Sequence, residues 1–151
     1  MPLEKIISGG QTGVDRAALD ISIEIGIQHG GFCPLGRRAE DGIIPSKYAL
    51  IENDSIKYID RTRRNVESSE GTLILYTGII SNGTALTKEF CIQKDKPLMT
   101  INLLDTIKSS WLNFHHWLKI NSIKVLNIAG PRESEGGNYK IAKKILHELL
   151  S

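Results

Sequence analysis

The sequence predicts a single-domain α/β fold: a doubly wound, mainly parallel sheet of five to six strands with helices on both faces. Two observations carry this. Short apolar runs alternate with amphipathic stretches along the chain, the pattern of βαβ units in a parallel sheet. The 151 residues, 40% hydrophobic and 24% charged, suffice for one core, so residues 1–151 are expected to form one domain. The same balance excludes a disordered chain. No apolar run approaches the ~18 residues of a membrane span, so no membrane partner is expected. Met1–Ser8 enters a strand-like segment directly, without the layout of a secretory signal, and a cytoplasmic protein is expected.

Glu4–Ser8 reads as the first strand. Val14, Ala17, Ala18, Ile21 and Ile25 then fall at helical spacing. Leu19, Ile23 and Ile27 broaden that stripe beyond what one sheet face demands, which predicts a second packing surface and a homomeric interface. Gly30–Cys33 reads as a short strand ending at Pro34. Residues 35–57 read as a long loop, with a short element at Tyr48–Ile51. A helix over Arg61–Ser68 leads into Thr72–Tyr76, the clearest buried strand. Ala85–Lys94 reads as a helix and Pro97–Asn102 as a strand. Leu104, Ile107, Trp111 and Leu118 stripe the next helix, Lys124–Ala129 is the last strand, and Ala142, Ile145, Leu146 and Leu149 face one side of the final helix.

Ligands of such sheets sit beyond the carboxyl ends of the strands, where strand order reverses. Ser8-Gly9-Gly10-Gln11-Thr12-Gly13 follows the first strand and opens a helix. Its glycines let the backbone approach a ligand, and the free N–H groups of the helix start favour an anion. A tight turn with Thr12 as N-cap accounts for the same residues. Neither standard nucleotide motif is present. Gly13-Val14-Asp15 replaces the Gly-Lys-Ser/Thr of a P-loop, and Ser8 occupies the first glycine position of a dinucleotide fingerprint. Asp15 in the first helical turn opposes a highly charged ligand resting there. It caps the loop or holds a ligand hydroxyl or ring nitrogen, with Arg16 beside it restoring charge.

A second Gly/Ser/Thr loop, Thr77–Thr84, follows the Thr72–Tyr76 strand, and a third, Ala129–Ser134, adds Arg132 at the same edge. Three such loops at one edge favour a binding site over bland turns. The first and second loops are expected to flank it on neighbouring strands. His115 and His116 are adjacent on a helix and cannot chelate one metal together. Cys33 and Cys91 lack Cys-x-x-Cys spacing, so neither a zinc ribbon nor a disulfide scaffold is expected. Glu40-Asp41 is an acidic pair without a partner to make it catalytic. Nineteen Lys and Arg against 17 Asp and Glu give +2, too little for a nucleic-acid-coating protein.

The run Ile6–Asp20 is similar to the opening motif of the molybdenum carrier proteins, relatives of the molybdenum cofactor carrier of green algae. The resemblance continues through Gly31–Pro34, Gly36–Gly42, Arg61-Thr62 with Asn65-Val66, Gly71–Ile74, Ser81 with Gly83-Thr84, and Ala129–Glu133. That family lies in a wider group with the bacterial DNA-processing protein and the "Lonely guy" phosphoribohydrolases. The resemblance implies a Rossmann-like fold, a nucleotide-like phosphate ligand and a homodimer or homotetramer. It also implies molybdenum cofactor as cargo and molybdoenzymes as acceptors.

Carried over by motif, Gly9, Gly10, Gln11, Thr12 and Gly13 line the pocket, and Gly78, Ser81, Gly83 and Thr84 form its other wall. Asp15, Arg16, Asn65 and Arg132 join them. Arg61 matches the arginine that the phosphoribohydrolases place before the central strand, where it is expected to hold a terminal phosphate. Those hydrolases carry a glutamate three residues after their Gly-Thr, and this chain has Thr87 there. A hydroxyl cannot serve as the general acid/base, so the resemblance does not extend to hydrolase activity and no catalytic or metal-ligating residue is assigned. A nucleotide-processing hydrolase using Asp15, or a ligand sensor, is the alternative.

Overall fold

The computed structural model describes residues 3–80, 82–105 and 110–151; Ser81 and Ile107, both singled out above, lie outside them. Strand β1 (Lys5–Ile7) leads through the first glycine loop to α1 (Val14–Ile25), which ends where Gly26 adopts a left-handed φ of 78°. The strand expected over Gly30–Cys33 is instead two, β2 (Gln28–Gly30) and β3 (Phe32–Cys33). Gly31 divides them at φ 125°, and a Cβ there would lie 2.2 Å from the Ser8 carbonyl oxygen. Only glycine lets the chain press against the end of β1 and change partners.

The stretch read as a loop contains a hairpin, β4 (Arg38–Ala39) with β5 (Gly42–Ile43), and β6 (Ile51–Glu52), which pairs parallel with β3. Next come α2 (Tyr58–Glu67), β7 (Gly71–Tyr76), α3 (Asn82–Gln93) and β8 (Leu98–Asn102). Then α4 (Ser110–Ile120), β9 (Val125–Ala129) and α5 (Tyr139–Leu150) complete the chain. Helix α3 starts at Asn82 rather than Ala85, so the Asn-Gly pair that resembles a turn signal is its first turn. The stripe on α4 is also displaced: Phe114 and Leu118 are its buried residues, while Trp111 and Leu104 are exposed.

The central sheet has five strands, all parallel, in the order β2-β1-β9-β7-β8. The expected adjacency of β1 and β7 is therefore wrong, because β9 lies between them. Leu126, Asn127 and Ile128 of β9 are at most 2% exposed, so this strand is covered on both faces and must be interior. β8, half exposed along most of its length, takes the edge. Counted from β7, the order is 2-1-3-4-5, and the switch point falls between β7 and β9.

Helices α1, α4 and α5 pack with Ile6, Leu73, Leu75, Leu126 and Ile128 on one face, while α2 and α3 meet around Val66, Phe90 and Cys91. The second apolar side of α1 is answered in part within the chain, at Leu19 but not at Ile23, which is 44% exposed. Leu19, wholly buried, packs with Cys33, Ile44 and Tyr48 in a separate small core. Among the described residues no helix is long and apolar enough to cross a membrane.

Candidate functional site

The carboxyl ends of β1, β7 and β9 meet around a cavity of about 220 Å³. Gln11 and Asp15 come from the first loop and the start of α1, Arg61 from α2, and Gly83 and Thr84 from the first turn of α3. Arg132 comes from the loop after β9. The first and second loops thus share one cavity although their strands are not neighbours, and the β9 loop lies between them. Tyr58, Asn82, Thr87 and Glu135 also line it. A volume below the roughly 300–1,000 Å³ typical of drug-sized ligands suits one small molecule rather than a dinucleotide.

The side chains at its back are packed tightly. A Cβ on Gly9 would lie 1.6 Å from Nη1 of Arg61, so glycine at this position makes room for the guanidinium. Nη1 of Arg61 reaches Oδ2 of Asp15 at 3.4 Å, and the Gln11 N–H donates to the same oxygen at 3.3 Å. Asp15 is 4% exposed. Burial pushes its carboxyl up to about 6, against the opposing pull of Arg61. Arg61 lies 5.5 Å from the Tyr58 ring, and its Nε is buried with no partner among the described residues.

Across the cavity, Nη2 of Arg132 donates to Oε1 of Glu135 at 3.2 Å, and Asn82 donates to the same oxygen at 3.3 Å. Glu135 thereby bridges the β9 loop and the start of α3. A side chain on Gly83 would meet nothing within 4 Å, so space is open above that turn.

Other residues singled out in the sequence stand behind this wall. Gly10 packs toward Ile44 and Leu50, and Gly13 lies against the backbone of Pro131–Glu133, closing the first loop on the third. Gly13, not Thr12, occupies the N-cap position of α1, without a side-chain cap. Thr12 instead donates to Glu40 and accepts the Glu133 N–H at 3.1 Å. Arg16 donates two bonds to Asp41, at 3.0 and 3.1 Å, and a third to the Gly10 carbonyl. Asn65 brackets the Phe32 peptide groups, accepting at 2.7 Å and donating at 3.0 Å. Gly78 donates to Asn102 at 3.1 Å and faces solvent.

Glu40-Asp41, partnerless in the sequence, forms the tip of the β4–β5 hairpin and straps these loops together. Glu40 also accepts from the Ser134 N–H at 3.1 Å and its hydroxyl at 2.5 Å, and these hydroxyl bonds hold its carboxyl below the usual range.

Sequence reasoning missed Tyr58, Asn82 and Glu135. Tyr58 stands three residues before Arg61 on one helix face, and Glu135 three residues after Arg132. Those spacings were the available signal.

Comparison with known proteins yields two likenesses. Residues 6–150 match the model of the circularly permutated YpsA SLOG family. The strand order, which becomes 2-1-3-4-5 only when counted from β7, fits that description. A crystal structure of a protein from Syntrophus aciditrophicus SB, described as "Putative molybdenum carrier protein", is 43% identical. It superposes with a TM-score of 0.95, over 99% of this chain and 96% of that one. The resemblance to molybdenum carrier proteins read from the sequence is thus borne out. No curated protein matches the chain.

Proposed function

The chain belongs to the circularly permutated YpsA SLOG family, and we propose that it binds a phosphate-bearing pterin, with molybdenum cofactor as its cargo. The observation that carries this reading is the cavity itself, which brings one guanidinium from α2 and another from the β9 loop to the switch point. The two are not equivalent. Arg61 is met by a buried carboxylate, which would repel a phosphate. Arg132 is also met by carboxylates, Glu135 at 3.2 Å and Glu40 at 3.9 Å, but these are 32% and 22% exposed rather than buried. It stands by the open first turn of α3, whose backbone N–H groups and Thr84 hydroxyl suit an anion. The phosphate is assigned to that wall and the ring to the Asp15–Arg61 wall. Among the described residues no three His, Cys, Asp or Glu side chains cluster to hold a metal, so recognition rests on the organic part of the cargo. The similarity to a protein described as a molybdenum carrier supports the same reading.

The protein is proposed to act in the cytoplasm as a homo-oligomer that delivers its cargo to molybdoenzymes. Thr87 lines the cavity and donates to the Gly83 carbonyl at 3.1 Å, so its hydroxyl is tied into α3 rather than set up for acid/base work. One observation favours the rival reading, a nucleotide-processing hydrolase: a carboxyl held at about 6 in the cavity could move a proton at neutral pH. Mass spectrometry of small molecules retained by the purified protein tests the proposal, with a pterin phosphate expected. Turnover of nucleoside monophosphates that drops about 10²–10⁴-fold in Asp15→Asn would replace carriage with catalysis.

A further inference from the structure

Resting on that reading, we propose that Asp15 and Arg61 together read the 2-amino-4-oxopyrimidine edge of the bound ring. Asp15 takes the ring N–H and the exocyclic amine, and Arg61 donates to the ring carbonyl. The pair is poorly satisfied by the protein. Its one contact, Nη1 to Oδ2 at 3.4 Å, is long and single, where a well-made arginine–carboxylate pair makes two parallel bonds. Oδ1 of Asp15 accepts no hydrogen bond among the described residues, and Nη2 of Arg61 donates none. Acceptor capacity and donor capacity therefore stand side by side on the cavity wall, and both side chains line it.

Charge narrows what can satisfy them. A phosphate against Oδ1 meets a carboxylate, and a cation there meets the Arg61 guanidinium. The complement is a neutral edge that presents donors to the carboxylate and an acceptor to the guanidinium. The row amine, ring N–H, ring carbonyl has that order, and it is shared by pterin and guanine rings. Burial has also stripped Asp15 of solvent while replacing hydrogen bonds at Oδ2 alone, so ligand donors meet an under-solvated Oδ1. Arg132, whose Glu135 partner is partly exposed, and the backbone N–H groups at the start of α3 are left for the phosphate at the other end of the same molecule.

The test compares 6-hydroxymethylpterin phosphate with 6-hydroxymethyllumazine phosphate by calorimetry at pH 7. The two share shape and phosphate, but lumazine carries an acceptor where pterin carries the amine. Wild type is expected to prefer the pterin by about 10- to 150-fold, the value of a hydrogen bond to a charged group. Asp15→Asn, whose amide can turn to donate, is expected to bring the ratio within about threefold. Equal binding of both by the wild type overturns this inference and leaves the carrier reading standing. So does a ratio that persists in Asp15→Asn, or a uniform loss for both compounds. Binding of neither compound overturns the inference and the carrier reading alike.

Discussion

Asp15 shows how a single side chain ties stability to function. Its carboxyl is raised from 3.8 to about 6, so between those values the folded state holds a proton that the unfolded state has released. Stability from this group is full below about pH 4 and is lost as pH rises through about 6, an effect of up to about 3 kcal/mol. Glu40, Asp41 and Glu70 act in the opposite sense, since their carboxyls are lowered and they stabilise the fold as pH rises. Comparison of wild type with Asp15→Asn isolates the one contribution. Urea unfolding at pH 4.5 and 7.5 should show the mutant gaining on the wild type by about 2 kcal/mol at the higher pH. An unchanged difference would mean that Asp15 is not strained by burial. The sequence disclosed the acidic residue in the first helical turn and its conflict with a charged ligand. It did not disclose Arg61 as the partner, because that contact spans 46 positions and depends on α2 docking beside α1.

Glycines on neighbouring segments separate two kinds of necessity. Gly31 stands between β2 and β3, with backbone 2.2 Å from where a Cβ would go and a φ of 125°. Gly31→Ala is expected to cost at least about 2–3 kcal/mol, from backbone strain and displacement of β1. At Gly9 the obstacle is the end of the flexible Arg61 side chain. Gly9→Ala should therefore keep most of the fold's stability while moving Arg61 off Asp15 and weakening ring binding. Thermal melts of the two variants check this, and an equal loss in both would contradict it. Elements with strong local patterns were legible in the sequence: β7 and β9 within a residue or two, and α5 by its buried face of Ala142, Ile145, Leu146 and Leu149. The β4–β5 hairpin was not, since strands of two residues carry no periodicity. It is held by Glu40 contacting Thr12 and Ser134 and by Asp41 contacting Arg16 of α1, all far away in sequence.

The arrangement of the whole chain was legible as a class but not as an order. Alternating strands and helices identified the doubly wound sheet. The central position of β9 depends on pairing between chain segments more than 50 residues apart, about which local patterns say nothing. The breadth of the α1 stripe was read as an oligomer face, and the structure covers Leu19 with the chain's own 33–50 segment instead. The homo-oligomer we propose therefore rests on other exposed apolar residues, notably Trp111, Leu112 and Ile120 of α4. Light scattering at micromolar concentration should give at least twice 16.8 kDa, and a monomer would contradict it. The central claim is that the cavity at the β7–β9 switch point holds a phosphate-bearing pterin through Arg132. Titration of wild type and Arg132→Ala with 6-hydroxymethylpterin, with and without its phosphate, tests it most directly. Wild type should bind the phosphorylated form about 10-fold more tightly, the low end for a charged contact because the Arg132 side chain is 40% exposed, and Arg132→Ala should lose most of that preference, keeping only what the start of α3 supplies. Equal binding of the two forms by the wild type would contradict the account.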